Sequence, residues 1–444
     1  MKKSVWVFAL AAVMAAFSLA QAQQNGAAKG DQNGLPPEQA LNEAPKILGV
    51  DMAPASVGED ISYYPYNSSL GYKGVCMANF DYFDANDELL VDFGTLGIWY
   101  YNAGVWTQQS GVNPESMVTM EHPGASDAEI AVDFGTLGLW YWNEGSWTQL
   151  SGVNPEGMFA VDDDWDGDDE LQVDFGSLGV WHLDISGYAW TQISGLNPYY
   201  GLRMDAGQYG YEEGCWLFPS VGVWCMYKSN TSDYWYYKQL TGTVNYNDDQ
   251  VSAHFTNAAQ AEDLVMDFDT LGIWLYNQLW GPWVQISSMS PNRLKEVMFV
   301  GGTDDELLAE NNAGGLYWGN WNGSTFAWTL ITNLDIGPGA AWCESFDLDG
   351  TDSGDEEVIV PMTAGGAYKF DYSAGSTFSS WIATNYFVNF IVKGDYYNKG
   401  RDSTLAVAFN SSSGQPGLWL YEKDANPAGF GWTKISTSIP DGWY

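Results

Sequence analysis

One nine-residue stretch holds the residue types best suited to chemistry: Asp162-Asp163-Asp164-Trp165-Asp166-Gly167-Asp168-Asp169-Glu170. Carboxylates stand at positions 1, 3 and 5, glycine at 6 and glutamate at 9. Calcium takes about six to eight hard oxygens, and a short loop of this spacing turns them toward one point. Glycine permits the sharp bend, and position 7 can offer its main-chain carbonyl. Asp162, Asp164, Asp166, Asp168 and Glu170 are therefore the expected calcium ligands, in a structural role. The competing reading is an Asp-rich connector in an acidic protein. A second loop keeps Asp347, Asp349 and Asp355 at positions 1, 3 and 9, with Thr351 at 5, and forms a weaker candidate. In a third, Lys399 puts a cation where a ligand belongs, so no metal is expected there.

Trp106, Trp147 and Trp190 each start a Trp-Thr-Gln triplet that ends in Gln108, Gln149 and Gln192. Periodic tryptophan at strand positions is first a packing device. The same triplets could also stack on the apolar face of a pyranose and bind its hydroxyls through the amides. Several shallow sites of this kind would gain through multivalency. These six residues are the candidate glycan contacts.

No catalytic set stands out. His122, His182 and His254 are scattered, and there is no nucleophile elbow, His-Glu-x-x-His helix or phosphate-cradling loop. A non-catalytic binding or adhesion module for a glycan or cell-surface protein is expected. An envelope scaffold for protein–protein interaction is the first alternative. A polysaccharide lyase or hydrolase using paired carboxylates is the second.

The residues that must position these groups form a repeat. Val91-Asp92-Phe93-Gly94-Thr95-Leu96-Gly97-Ile98-Trp99 returns as 132–140, with Leu139 for isoleucine, and as 173–181, with Ser177 for threonine and Val180 for isoleucine, at steps of 41 residues. A fixed period of this size marks one supersecondary unit that buries its faces only by stacking on its neighbours. Each unit reads as four strands. The first begins at Glu88, Glu129, Glu170, Glu213, Asp263, Glu306, Glu357 or Thr404. The third carries Trp106, Trp147, Trp190, Trp235, Trp283, Trp328, Trp381 or Trp432. A fourth strand follows seven of the eight, and a spare one stands at the front, Gly74 to Asp81. The expected fold is all-β: an eight-bladed β-propeller of four-stranded antiparallel blades. Its ring would be closed by residues 74–81 completing the last blade.

Asp164 to Leu171 followed by Phe175-Gly176 resembles the FG-GAP or VCBS repeat, found in calcium-loop propellers such as integrin α-subunit heads. The likeness is at the level of the repeat over about residues 74–444. It implies calcium in the loops, and ligand or partner binding more than catalysis.

Composition supplies the frame. Residues 1–22 read as a signal peptide: Lys2 and Lys3, an apolar run, then Ala20-Gln21-Ala22 for cleavage. Residues 23–46 read as a flexible leader, 47–71 as an extension packing on the ring, and 72–444 as the propeller. Export to the periplasm or cell exterior follows, with no membrane span in the mature chain. Against 56 acidic residues stand 16 basic ones, a net charge of −40. Nucleic acid and anionic membrane are thus excluded as default partners. An exported chain can form disulfides. Cys215 and Cys225 flank a turn at Pro219-Ser220 and are expected to pair across two strands.

Overall fold

A computed structural model describes residues 74–440, apart from connecting stretches of which the longest are 122–127, 206–211, 243–249, 334–342, 348–355, 397–403 and 423–430. Eight sheets of four antiparallel strands follow one another in chain order: residues 75–108, 116–151, 157–194, 200–241, 250–287, 291–332, 344–384 and 388–436, here blades 1 to 8. Within each blade the strands lie side by side in sequence order. The first strands of successive blades neighbour one another, and that of blade 8, Val388–Gly394, neighbours that of blade 1, Val75–Ala78. The molecule is an eight-bladed β-propeller with these strands innermost.

Burial explains the run-on apolar sequences. The second strand of blade 3, Glu170–Asp174, is buried at every position, as are Glu88–Asp92 and Glu357–Pro361. Both faces of such a strand are covered, so alternation disappears. Apolar clusters straddle the seams; one joins Leu171, Val173 and Leu183 of blade 3 to Val118, Ala131 and Tyr141 of blade 2.

The repeated Val-Asp-Phe-Gly-Thr-Leu-Gly segment is a single 3-10 turn linking second and third strands, as at Gly135–Leu137. Asp133 Oδ1 accepts the Gly135 N–H at 2.8 Å, and Asp92 and Asp174 do the same for Gly94 and Gly176. Gly138 closes the turn at φ +79°, where a Cβ would lie 2.2 Å from Ser151 O. Only glycine combines that torsion with that approach.

The expected ring closure is corrected in one respect. Val75–Ala78 pairs with Glu88–Asp92 of its own blade, Val75 opposite Val91 and Ala78 opposite Glu88. It does not complete blade 8, whose four strands are contiguous in sequence. The strand expected fourth in each unit is the first strand of the next blade, as Gly157–Val161 pairing with Glu170–Asp174 shows. The count of eight is unchanged; the boundary moves by one strand. Pairing through the short 79–87 link closes a small loop, which costs less entropy than recruiting a partner more than 300 residues away.

Candidate functional site

Successive strands alternate in direction, so the loops from first to second strand open on one face of the ring and the 3-10 turns on the other. The acidic loops share the first face.

Two acidic positions in sequence organise it. The acid at the start of the second strand, which blade 8 replaces with Thr404, works within its blade. Phe80 N–H donates to Glu88 Oε2 at 2.8 Å, Asp163 N–H to Glu170 Oε2 at 3.0 Å, and Phe299 N–H to Glu306 Oε2 at 2.7 Å. The residue just before it works across the seam. Asp169 N–H donates to Glu121 O, and its Oδ2 accepts Glu121 N–H, at 2.8 and 2.7 Å. Glu212 repeats this exchange with Asp162, Glu262 with Asp205, and Asp305 with His254. Asp87 does so with Asp395 across the closing seam between blades 8 and 1. Sequence reasoning found the strand-starting acid, the second of each pair, and missed the seam acid before it; the signal was the doubled acid in Asp87-Glu88, Asp169-Glu170, Glu212-Glu213, Glu262-Asp263 and Asp305-Glu306.

Among the described residues, the converging groups of possible metal ligands both draw on the blade 3 loop. Ligand atoms of Asp162, Asp164 and Glu170 lie within 4.8 Å of one another, as do those of Asp163, Glu170 and His182. Asp163 is fully buried; its carboxylate meets His182 Nε2 at 3.1 Å and accepts Gln172 Nε2 at 3.3 Å. Asp164 Oδ2 pairs with Lys228 Nζ of blade 4 at 2.9 Å, while its Oδ1 is buried with no hydrogen-bond partner. Burial, with the charges of Asp163 and Asp164 beside it, pushes the Glu170 carboxyl well above the usual range. Burial also raises Asp169 to about 7. For Lys228 burial works the other way, but Asp164, Asp163 and Glu170 outweigh it and hold the ammonium above its ordinary value. This corner therefore gathers more negative charge than Lys228 alone offsets.

Three of the five expected calcium ligands are thus brought together. Asp168 is buried but belongs to neither converging group, and Asp166 lies outside the described residues. Of the second loop only Asp347 is described; Asp349, Thr351 and Asp355 fall outside. His122 does too; of the described histidines, His254 faces Asp305 at 4.0 Å and His182 faces Asp163.

The Trp-Thr-Gln triplets lie on the outer strands with their polar ends engaged. Trp147 Nε1 donates to Gln109 O of blade 1 at 3.1 Å, Trp190 Nε1 to Leu150 O at 3.3 Å, and Trp106 Nε1 to Ile435 O at 2.9 Å across the closing seam. Gln108, Gln149 and Gln192 donate to Leu96 O, Leu137 O and Leu178 O, at 2.9, 3.1 and 2.9 Å. Cys215 and Cys225 stand opposite each other in register and are joined. Cys76 and Cys343 are separate buried thiols.

No family model matches the chain. No curated protein matches it either. Among solved structures, two crystal structures of BBS1N in complex with ARL6DN align. The lead-soaked one has a TM-score of 0.43 and 12% identity, covering 79% of this chain and 93% of that one. The mercury-soaked one has a TM-score of 0.42 and 13% identity over the same shares. Likeness this distant transfers no function, and the class rests on the strand pairings above. Among the described residues no helix is long and apolar enough to cross a membrane.

Proposed function

We infer that this chain is an exported, non-catalytic binding module that engages a protein partner, at a cell surface or in an envelope assembly, through the face bearing the 3-10 turns. One observation carries this: Leu96, Leu137, Leu178 and Leu271 are all about half exposed or more, at 52%, 50%, 47% and 62%, at the same point of four blades. Each is held rigid from behind. Leu137 O accepts both Trp140 Nε1 at 2.9 Å and Gln149 Nε2 at 3.1 Å, and Leu271 O accepts Trp274 and Gln285 likewise. Repeated, preorganised apolar contacts on a highly charged molecule favour a macromolecular partner, because little ordering entropy is lost on binding. Export is supported by the N-terminal sequence and by a disulfide suited to an oxidising compartment.

A glycan partner is the second reading. It draws on the outer strands, where Thr107, Thr148 and Thr191 are exposed beside half-buried Trp106, Trp147 and Trp190. The commitment of the amide and indole N–H groups inward weighs against it.

The acidic face contributes a structural cation. Asp162, Asp164 and Glu170 fit calcium: they converge, and Asp164 Oδ1 lacks a donor. The ion would supply the positive charge this corner lacks and fix the loop on which the blade 3–blade 4 seam depends.

Binding of the purified chain to intact producing cells tests the main reading. Serine at Leu96, Leu137, Leu178 and Leu271 together should abolish binding with little change in melting temperature. Undiminished binding by that variant rejects the turn-bearing face. A glycan array that gives a saturable sugar hit, lost when Thr107, Thr148 and Thr191 are replaced, transfers the function to the outer strands.

A further inference from the structure

The exposed leucines of the turn-bearing face form an arc and not a full circle. Leu96, Leu137, Leu178 and Leu271 stand in blades 1, 2, 3 and 5. Val221 takes the same place in blade 4, half-buried. Its O accepts Trp224 Nε1 at 3.0 Å and Gln239 Nε2 at 2.7 Å, as the leucine carbonyls do. At the matching sequence positions blades 6, 7 and 8 carry Gly314, Gly365 and Pro416. A second apolar row stands in the links between blades, which pack on the turns. Val112 is 39% exposed, and Val153, Leu196 and Met289 are half-buried. Each donates its N–H to the hydroxyl of the serine two residues before it. The equivalent residue after blade 8 is Ser438. The apolar surface thus runs from blade 1 to blade 5.

The chain enters the ring at the head of this arc. Asp92 N–H donates to Gly74 O at 2.7 Å, and Asp92 stands just before the turn Gly94–Leu96. Gly74 therefore lies on the leucine face, beside the first leucine turn. It sits in a turn at φ +102°, so the chain before it does not continue the line of Val75–Ala78. Residues 47–71, the expected extension, lie outside the described residues and lead to this point. Their sequence is apolar and aromatic, with Ile61, Tyr63, Tyr64, Tyr66 and Leu70 toward the ring, and it carries no basic residue. A stretch of that length reaches about 80–90 Å when extended. Neighbouring sheets pack about 10 Å apart, so five blades are within its span.

We propose that residues 47–71 of this chain are the occupant of the leucine arc, laid over blades 1 to 5 with their apolar side chains on Leu96, Leu137, Leu178, Val221 and Leu271. A tethered segment acts at an effective concentration in the millimolar range, ahead of most free ligands. A second copy of the chain is the poorer candidate, because two molecules of net charge −40 repel each other. An arc that starts in blade 1 also suits a segment that arrives at blade 1 better than it suits a partner centred on the ring. An outside protein partner, where one binds, displaces the segment; the docking of the segment does not depend on that partner.

Photo-cross-linking of the purified full chain tests it, with benzoylphenylalanine in place of Leu137, of Leu178 or, on the opposite face, of exposed Tyr188. Cross-links to peptides within residues 47–71 of the same chain are expected from positions 137 and 178, several-fold above those from 188 and unchanged on tenfold dilution. Serine at Ile61, Tyr63, Tyr64 and Tyr66 together should cut their yield several-fold and raise hydroxyl-radical labelling of Leu96 and Leu271. Such substitutions leave the eight blades intact, which the melting temperature checks. Cross-linking from 137 and 178 confined to the ring overturns the proposal, as does a yield that the serine variant leaves unchanged. Products of dimer mass that fade on dilution overturn it in favour of a second copy. Binding to intact producing cells is measured separately. Segment cross-links without cell binding keep the segment and reject the outside partner, whereas stronger cell binding by the serine variant shows that segment and partner compete for the arc.

Discussion

Glu170 shows how much one side chain is asked to do. Its Oε2 takes the Asp163 N–H, an obligation a glutamine oxygen meets equally well. Its charge is unwelcome beside Asp163 and Asp164 unless a cation is present. Glu170→Gln should therefore leave the protein as stable as the wild type, or more so, in chelator. In millimolar calcium the wild type should gain several degrees in melting temperature and the variant little or nothing. Equal gains for both would remove Glu170 from any cation site. Lys228→Met probes the same corner from the other side. It strips Asp164 of its ion-pair partner, about 2.9 Å away, and should destabilise in chelator by about 1–3 kcal/mol while steepening the response to calcium. A variant that melts like the wild type in chelator would show that the pair adds nothing.

At the scale of strands and seams, the closing seam differs from the other seven because no connecting peptide bridges blades 8 and 1. It is held by the Asp87–Asp395 exchange, by Trp106 Nε1 on Ile435 O, and by packing of Val75, Leu89 and Val91 against Phe390, Val392 and Ala406. Asp87→Ala should cost about 1–3 kcal/mol, the range for a hydrogen bond to a charged group that is only partly buried. It should also speed amide exchange in blades 1 and 8 selectively, because that seam can part without breaking the chain. Asp305→Ala, at the tethered seam between blades 5 and 6, should cost a similar amount without focusing exchange at blades 1 and 8. Uniform acceleration in both variants would show that the seams open together. The seam also marks the limit of what could be read from residues alone. The eight strand-start anchors, Glu88 to Thr404, and the eight recurring tryptophans, Trp106 to Trp432, give the number of units, but a tandem repeat has no intrinsic starting point. Whether Gly157–Val161 ends one blade or begins the next depends on which second strand it pairs with, and both lie one short loop away. Trp147 was legible as a packing residue by its period, whereas Gln149 was read as a sugar contact. Their acceptors, Gln109 O and Leu137 O, are main-chain atoms with no residue-type signature. The doubled acids were visible, but one carboxylate facing inward and its neighbour reaching the previous blade is a distinction made only by strand alternation.

The whole ring stores carboxylates in places that do not favour their charge. Burial raises Asp169 and Glu296 to about 7, and it also lifts Glu262, Glu170 and Asp174, the last with help from nearby Glu156. Each titrates higher in the folded chain than in the unfolded one, where a carboxyl loses its proton near about pH 4. The folded state then binds more protons through the intervening range, so linkage makes stability greatest at low pH and erodes it as pH rises through about 7. Repulsion among the remaining surface acids, in a chain of net charge −40, acts in the same direction. In chelator and low salt, the melting temperature should thus be higher at pH 5.5 than at pH 8, the reverse of a protein held together by paired carboxylates. Unfolding at pH 6.5 should release protons, measurable as a dependence of the calorimetric enthalpy on buffer ionisation. Calcium should recover stability at pH 8 by offering charge where deprotonation has left carboxylates unopposed. A melting temperature that climbs steadily from pH 5.5 to 8 in chelator would mean that the seam hydrogen bonds to ionised carboxylates outweigh the burial of those carboxylates.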